Sequence, residues 1–97
     1  MRDFIFLMHN DAPRPVDTDL WAPYFADLNR RHVFDGGSAI GPGETFRKAG
    51  TAGELSGHLG GYIRVQAESL EAAKALLAGN PVYEAGGTVE IRELPSS

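Results

Sequence analysis

His58-Leu59-Gly60-Gly61-Tyr62-Ile63-Arg64-Val65-Gln66, then Ser69-Leu70-Glu71-Ala72-Ala73-Lys74, Asn80-Pro81 and Gly86-Gly87-Thr88-Val89-Glu90-Ile91-Arg92, is the stretch that decides the fold. In its first segment Leu59, Ile63 and Val65 alternate with His58, Tyr62, Arg64 and Gln66, the period of two that gives a strand one apolar and one mixed face. Ser69 then supplies an N-cap hydroxyl and Glu71 a carboxylate in the first turn. Leu70, Ala73, Leu76 and Leu77 form an apolar helical stripe that Gly79 ends. Asn80-Pro81 reads as a turn. The last segment, Thr88 to Glu93, sets Val89 and Ile91 on one face and Thr88, Glu90 and Arg92 on the other. Two strands therefore agree on one face for helices and one polar face.

Upstream, Phe4-Ile5-Phe6-Leu7-Met8 is rich in branched and aromatic side chains and stops at Asn10-Asp11-Ala12-Pro13-Arg14-Pro15, which cannot extend a ladder. The run lacks alternation, which predicts a central strand covered on both faces. Leu20, Trp21, Tyr24, Phe25 and Leu28 recur three and four apart, predicting a helix from about Leu20 to His32 with Asp17 or Asp19 as N-cap. Pro23 then falls in the first turn, where its missing N–H matters least. Asp35-Gly36-Gly37 is expected to end that helix, Ser38-Ala39-Ile40 to form a short second strand, and Gly41-Pro42-Gly43 to break it. Residues 44–57 have no sustained period and read as a hairpin arm or mobile loop; Pro95-Ser96-Ser97 is a polar tail.

The order β-α-β-β-α-β, with helices of about a dozen and about ten residues, predicts a ferredoxin-like α+β domain: a four-stranded antiparallel sheet with two helices on one face. Ninety-seven residues make one domain, 1–97, with a single core. The opposite sheet face carries His58, Tyr62, Arg64, Gln66, Glu90 and Arg92 beside apolar residues of the first strand. In so small a chain such a face is expected to pair with a copy of itself, giving a homodimer.

Composition excludes several classes. An apolar share of 42% with 23% charged residues is that of a globular chain. The net charge is −4, and the densest basic sites are the pairs Arg30-Arg31 and Arg47-Lys48, too little for nucleic-acid backbone binding. No cysteine is present, which removes disulfides and thiolate metal ligation and fits a reducing compartment. The N-terminal apolar run is too short for a signal segment or a membrane span. A cytoplasmic protein without nucleic-acid or membrane partners is expected.

The wording of these segments resembles the YCII-related proteins, and within them the subgroup that carries an Asp-Gly-Pro-Phe motif. The resemblance rests on Leu59-Gly60-Gly61-Tyr62, the helix start at Ser69-Leu70-Glu71-Ala72-Ala73, Asn80-Pro81, Gly86 to Arg92, and the glycine-led Gly36-Gly37-Ser38-Ala39-Ile40. It implies a dimeric α+β barrel. It also implies action on small ring compounds in some members, through a histidine–aspartate pair. The Asp-Gly-Pro-Phe tetrad would fall at Ala49-Gly50-Thr51-Ala52, where only the glycine survives. The pair's histidine would fall at Tyr24 or Phe25 and its aspartate at Asn80. Neither half is present, so that catalysis does not carry over.

Chemistry must then come from other side chains. His9 ends the first strand, Asp11 follows it, and His58 opens the third strand in phase with Tyr62. Antiparallel pairing of strands one and three brings His9 and His58 to one rim. A histidine oriented by a carboxylate suits general acid–base work on a small molecule. His9, His58 and Asp11 are thus the catalytic candidates, and Trp21, Tyr24, Ser38, Arg47 and Tyr62 the substrate-binding ones, around a pocket between sheet and first helix. A plainer reading makes His9 a satisfied strand end, His58 a dimer contact, Trp21 a core anchor and Arg47 a solvated loop residue. Histidine spacing favours no metal site, and neither glycine cluster lies between a strand and a following helix as a phosphate cradle requires, so no cofactor is expected. Two functions remain: a small-molecule enzyme using histidine acid–base chemistry on a ring or carbonyl compound, or a non-catalytic dimeric module that binds a metabolite or associates with a partner.

Overall fold

The computed structural model describes residues 1–96; Ser97, the end of the polar tail and of the expected 1–97 domain, lies outside the described residues. Four strands, β1 (Arg2–His9), β2 (Phe34–Ala39), β3 (Leu59–Ala67) and β4 (Val89–Leu94), form one sheet in the order β2-β3-β1-β4 with every pairing antiparallel. Helix α1 (Trp21–Arg30) lies between β1 and β2 in the chain, and α2 (Leu70–Ala75) and α3 (Pro81–Glu84) lie between β3 and β4. This is the split β-α-β-β-α-β α+β plan, with β1 central as its unbroken apolar run requires.

The helix-facing side of the sheet is set by strand parity. Phe4, Phe6 and Met8 of β1 face Val65, Ile63 and Gly61 of β3 in register, and all six are buried. Tyr24 and Leu28 of α1, Ala73 of α2, Leu76 and Val82 complete the core from the helices. Burying each large apolar side chain is worth about 1.5–3 kcal/mol. Asp3, Ile5, Leu7 and His9, of opposite parity, line the open face with Tyr62, Arg64, Gln66, Glu90 and Arg92, and Ile5, Leu7 and Tyr62 are only half-buried there.

Several local expectations are corrected. Asp17 accepts a hydrogen bond from the Asp19 N–H at 3.0 Å, but it caps a short 3-10 turn (Thr18–Leu20). The N-cap of α1 is Leu20, without a side-chain bond. Asp35-Gly36-Gly37 does not end α1: His32 takes φ 60°, His32 N–H bonds to Asn29 C=O at 3.0 Å and Val33 N–H to Leu28 C=O at 3.1 Å. These two bonds close a Schellman turn two residues after Arg30, so β2 starts early and contains those glycines across a bulge between Phe34 and Gly37. Strand β2 ends at Ala39, and residues 40–58 hold neither helix nor strand. Leu70, at the first position of a six-residue α2, is 52% exposed instead of joining the buried stripe. Asn80-Pro81 starts a helix: Asn80 Oδ1 accepts from Val82 N–H at 3.0 Å and Tyr83 N–H at 3.1 Å, and Pro81 at the first helical position has no N–H to satisfy.

Candidate functional site

The sheet rim where β1 ends, β3 begins and β4 begins gathers the polar groups. A bulge falls at Gly60, because Met8 pairs with Gly61 and His9 with Leu59. A Cβ on Gly60 would collide with Asn10 Oδ1, so the glycine lets the Asn10 side chain lie against the strand. Asn10 N–H in turn donates to His58 C=O at 2.7 Å. His9 and His58 meet edge to face, with ring centroids 4.8 Å apart.

Glu90, which sequence reading placed on the open face without a role, is the carboxylate on His9. The Nε2–H of His9 donates to Glu90 Oε1 at 3.1 Å, and Arg92 donates to Glu90 Oε2 at 3.2 Å. The His9 hydrogen bond, with that from Arg92, holds the Glu90 carboxyl below the usual range. The signal lies in the strand register: Leu7 pairs with Glu90, one diagonal step from His9 on the same face. With Nε2 committed to Glu90, Nδ1 is the proton-accepting atom of His9.

Asp11 is not that orienting carboxylate. Its two oxygens accept from Thr88 N–H at 2.7 Å and Thr88 Oγ–H at 2.6 Å, and those bonds hold its carboxyl below the usual range. Since His9 N–H also donates to Thr88 C=O at 2.9 Å, Asp11 fastens the start of β4 to the end of β1, which sets Glu90 beside His9.

On the helix side of the same rim lies a pocket of about 400 Å³ between α1 and the sheet. Trp21 and Phe25 form one wall, Met8, Val16 and Val82 close it, and Gly37, Ala39 and Gly61 leave the sheet surface bare of bulky side chains. His9, Asn10, Ser38 and Tyr62 border it; strand parity turns the Ser38 and Tyr62 side chains to the open face, so their backbone forms the edge, and His9, on that same face, meets the pocket at the rim where β1 ends. Among the other substrate-binding candidates, Tyr24 is in the core, its hydroxyl donating to Leu76 C=O at 2.7 Å. Burial raises that phenol to about 12. Arg47 is on the exposed 40–58 segment and donates to Thr51 C=O at 3.0 Å, away from the pocket. Thus Trp21 lines the pocket with its side chain, Ser38 and Tyr62 edge it with backbone, and Tyr24 and Arg47 are not part of it.

The YCII-related domain profile matches residues 6–95. The chain belongs to the YCII-related family. A comparison with curated proteins gives no match. Among solved structures, the fold is similar to 5-chloro-2-hydroxyhydroquinone dehydrochlorinase from Burkholderia phenoliruptrix AC1100 in complex with 2,5-dihydroxybenzoquinone. That likeness has a TM-score of 0.58 and 18% identity, over 100% of this chain and 96% of that one. For this YCII-related chain the resemblance puts a histidine at Tyr24 or Phe25 and an aspartate at Asn80; Phe25 is half-buried on the pocket wall. Tyr24 and Asn80 are both buried, and both have structural hydrogen bonds, Tyr24 to the end of α2 and Asn80 to the start of α3. No group of three or more histidine, aspartate or glutamate side chains that could hold a metal occurs among the described residues. No helix among them is long and apolar enough to cross a membrane.

Proposed function

We propose that this YCII-related protein is a small-molecule enzyme that binds a ring or carbonyl compound between α1 and the sheet and moves a proton on it with His9. The observation that carries this reading is that His9, on the open face at the end of β1, reaches the pocket rim while its Nε2 is held by Glu90. The imidazole takes a proton at Nδ1 from a hydroxyl or from a carbon beside a carbonyl, becomes an imidazolium balanced by Glu90, and returns the proton to another atom of the same ligand. Such a tautomerisation needs no oxidant and no leaving group. The volume is at the small end of ligand pockets and has room for a single substituted ring, and the solved neighbour's ligand is a single-ring compound.

The same reading includes a homodimer through the open sheet face, supported by the half-exposed Ile5, Leu7 and Tyr62 beside Arg64, Glu90 and Arg92. It includes a cytoplasmic setting, supported by the lack of cysteine. Within the family it places the chain beside the Asp-Gly-Pro-Phe subgroup, on Gly36 to Ile40 and Gly86 to Arg92.

Thermal-shift screening against phenols, quinols, lactones and aromatic acids tests the pocket, since a ligand at about a hundredfold its Kd stabilises by about 2.7 kcal/mol. With a turned-over compound in hand, His9→Ala is expected to lower kcat by about 10²–10⁴ with little change in Kd. Unchanged turnover in His9→Ala would remove His9 from the chemistry, and ligands that bind without any turnover would leave a binding module instead of an enzyme.

A further inference from the structure

The chemical class of ligand can be narrowed from the pocket lining, on the reading that this pocket is the binding site. Among the described residues no lysine, arginine, aspartate or glutamate lines it; apart from His9, its side chains are uncharged. Any positive charge on His9 is already matched by Glu90 Oε1 at 3.1 Å, and Arg47, the one cation expected near a substrate, is bonded to Thr51 on the exposed segment. A carboxylate or ammonium held against these walls would lose part of its hydration without gaining a counter-ion, a cost that a neutral ring does not meet.

The shape is equally specific. Trp21 and Phe25 stack at 5.3 Å with planes 26° apart, and Phe25 and Phe34 at 4.8 Å with planes 28° apart, a stack of three rings of which Trp21 and Phe25 line the pocket. Opposite stands backbone: a Cβ on Gly61 would approach Ser38 O at 3.2 Å and Ala39 Cα and Met8 Cε at 3.6 Å. A flat ring can lie against Trp21 and Phe25 over the glycine-bare strands, with Asn10 and His9 at the rim as polar partners for ring substituents.

We infer that the pocket selects uncharged planar rings bearing hydroxyl or carbonyl groups and rejects aromatic acids and amines of the same size. Trp21 is the only tryptophan and lines the pocket, so its fluorescence reports occupancy directly. Titrating the full-length protein with hydroquinone, benzoate and benzylammonium is expected to give saturable quenching by hydroquinone, with a Kd at least about tenfold below those of the two ions, about 1.4 kcal/mol. Benzoate or benzylammonium binding as tightly as hydroquinone overturns the inference and leaves the pocket reading standing. No response to any of the three overturns both. In Val16→Lys, which puts a cation on the pocket wall, benzoate is expected to gain about tenfold in affinity; an unchanged benzoate Kd contradicts the charge argument.

Discussion

His9 at the end of β1 and Glu90 on β4 are joined across the sheet by a 3.1 Å bond from Nε2–H to Oε1, although 81 residues of sequence separate them. The carboxylate next to His9 in sequence, Asp11, instead binds Thr88 through both oxygens. The alignment of two strands therefore decides which acid orients the imidazole.

That bond has a pH signature. The Glu90 carboxyl is held below its ordinary value of 4.5, first by His9 and then by Arg92. A carboxyl depressed in the folded state stabilises above its unfolded pKa and loses that contribution as pH falls through the folded value. Thermal melts of wild type and Glu90→Gln are expected to differ most at neutral pH and to converge as pH falls below 4.5. A difference that persists unchanged to the acid limit would contradict the bond. Turnover in Glu90→Gln is expected to fall by about tenfold to a hundredfold, as for loss of a group that orients a working histidine.

Tyr24 carries the opposite signature. Its phenol, raised by burial from 10.0 to about 12, stays protonated in the fold while an unfolded chain ionises it, so its contribution is complete below pH 10 and is lost as pH rises toward 12. Ultraviolet titration of the three tyrosines is expected to show one that ionises last, and Tyr24→Phe to abolish that step. The same variant leaves Leu76 C=O without its 2.7 Å donor and is expected to cost about 1–3 kcal/mol in chemical denaturation.

The contrast between these two residues shows what the sequence made legible. Alternation in β3 and β4 assigned the open and covered faces, because period two is a property of the backbone itself. Antiparallel pairing then put His9 beside His58. Pocket membership was harder to read: Trp21, Tyr24 and Phe25 share one helical stripe, and only packing against α2 and α3 sends Tyr24 into the core while Trp21 and Phe25 face the cavity. Glu90 was missed because proximity in sequence favoured Asp11, and the diagonal step from His9 appears only once the β1–β4 register is known. His32 ended α1 in a conformation usually given to glycine or asparagine, which composition alone assigned to Gly36-Gly37.

Two glycines of the pocket floor are expected to respond differently to alanine. A Cβ on Gly37 would strike the Tyr62 carbonyl and lie 2.8 Å from Ile63 Cγ2, so β2 would have to separate from β3. At Gly61 the nearest atom is Ser38 O at 3.2 Å, a few tenths of an ångström from comfortable contact. Gly37→Ala is expected to lose about 1–3 kcal/mol or more, measured by urea denaturation, and Gly61→Ala clearly less. For Gly61→Ala the main effect is expected on the pocket, as a weaker hydroquinone quench of Trp21. Equal destabilisation by both substitutions would contradict the β2–β3 register.

The proposed dimer is tested at Leu7. In register between Tyr62 of β3 and Glu90 of β4, it sits half-buried on the open sheet face, where a second copy would cover it. Leu7→Lys places an ammonium there without touching the helix-side core, whose β1 members are Phe4, Phe6 and Met8. Light scattering at micromolar concentration is expected to give a dimer mass for the wild type and a monomer mass for Leu7→Lys, with unchanged far-ultraviolet circular dichroism. A wild type that stays monomeric as concentration rises would remove the dimer from the reading. The His9–Glu90 bond and the pocket lie within one chain, so ligand binding is expected to survive in the monomeric variant.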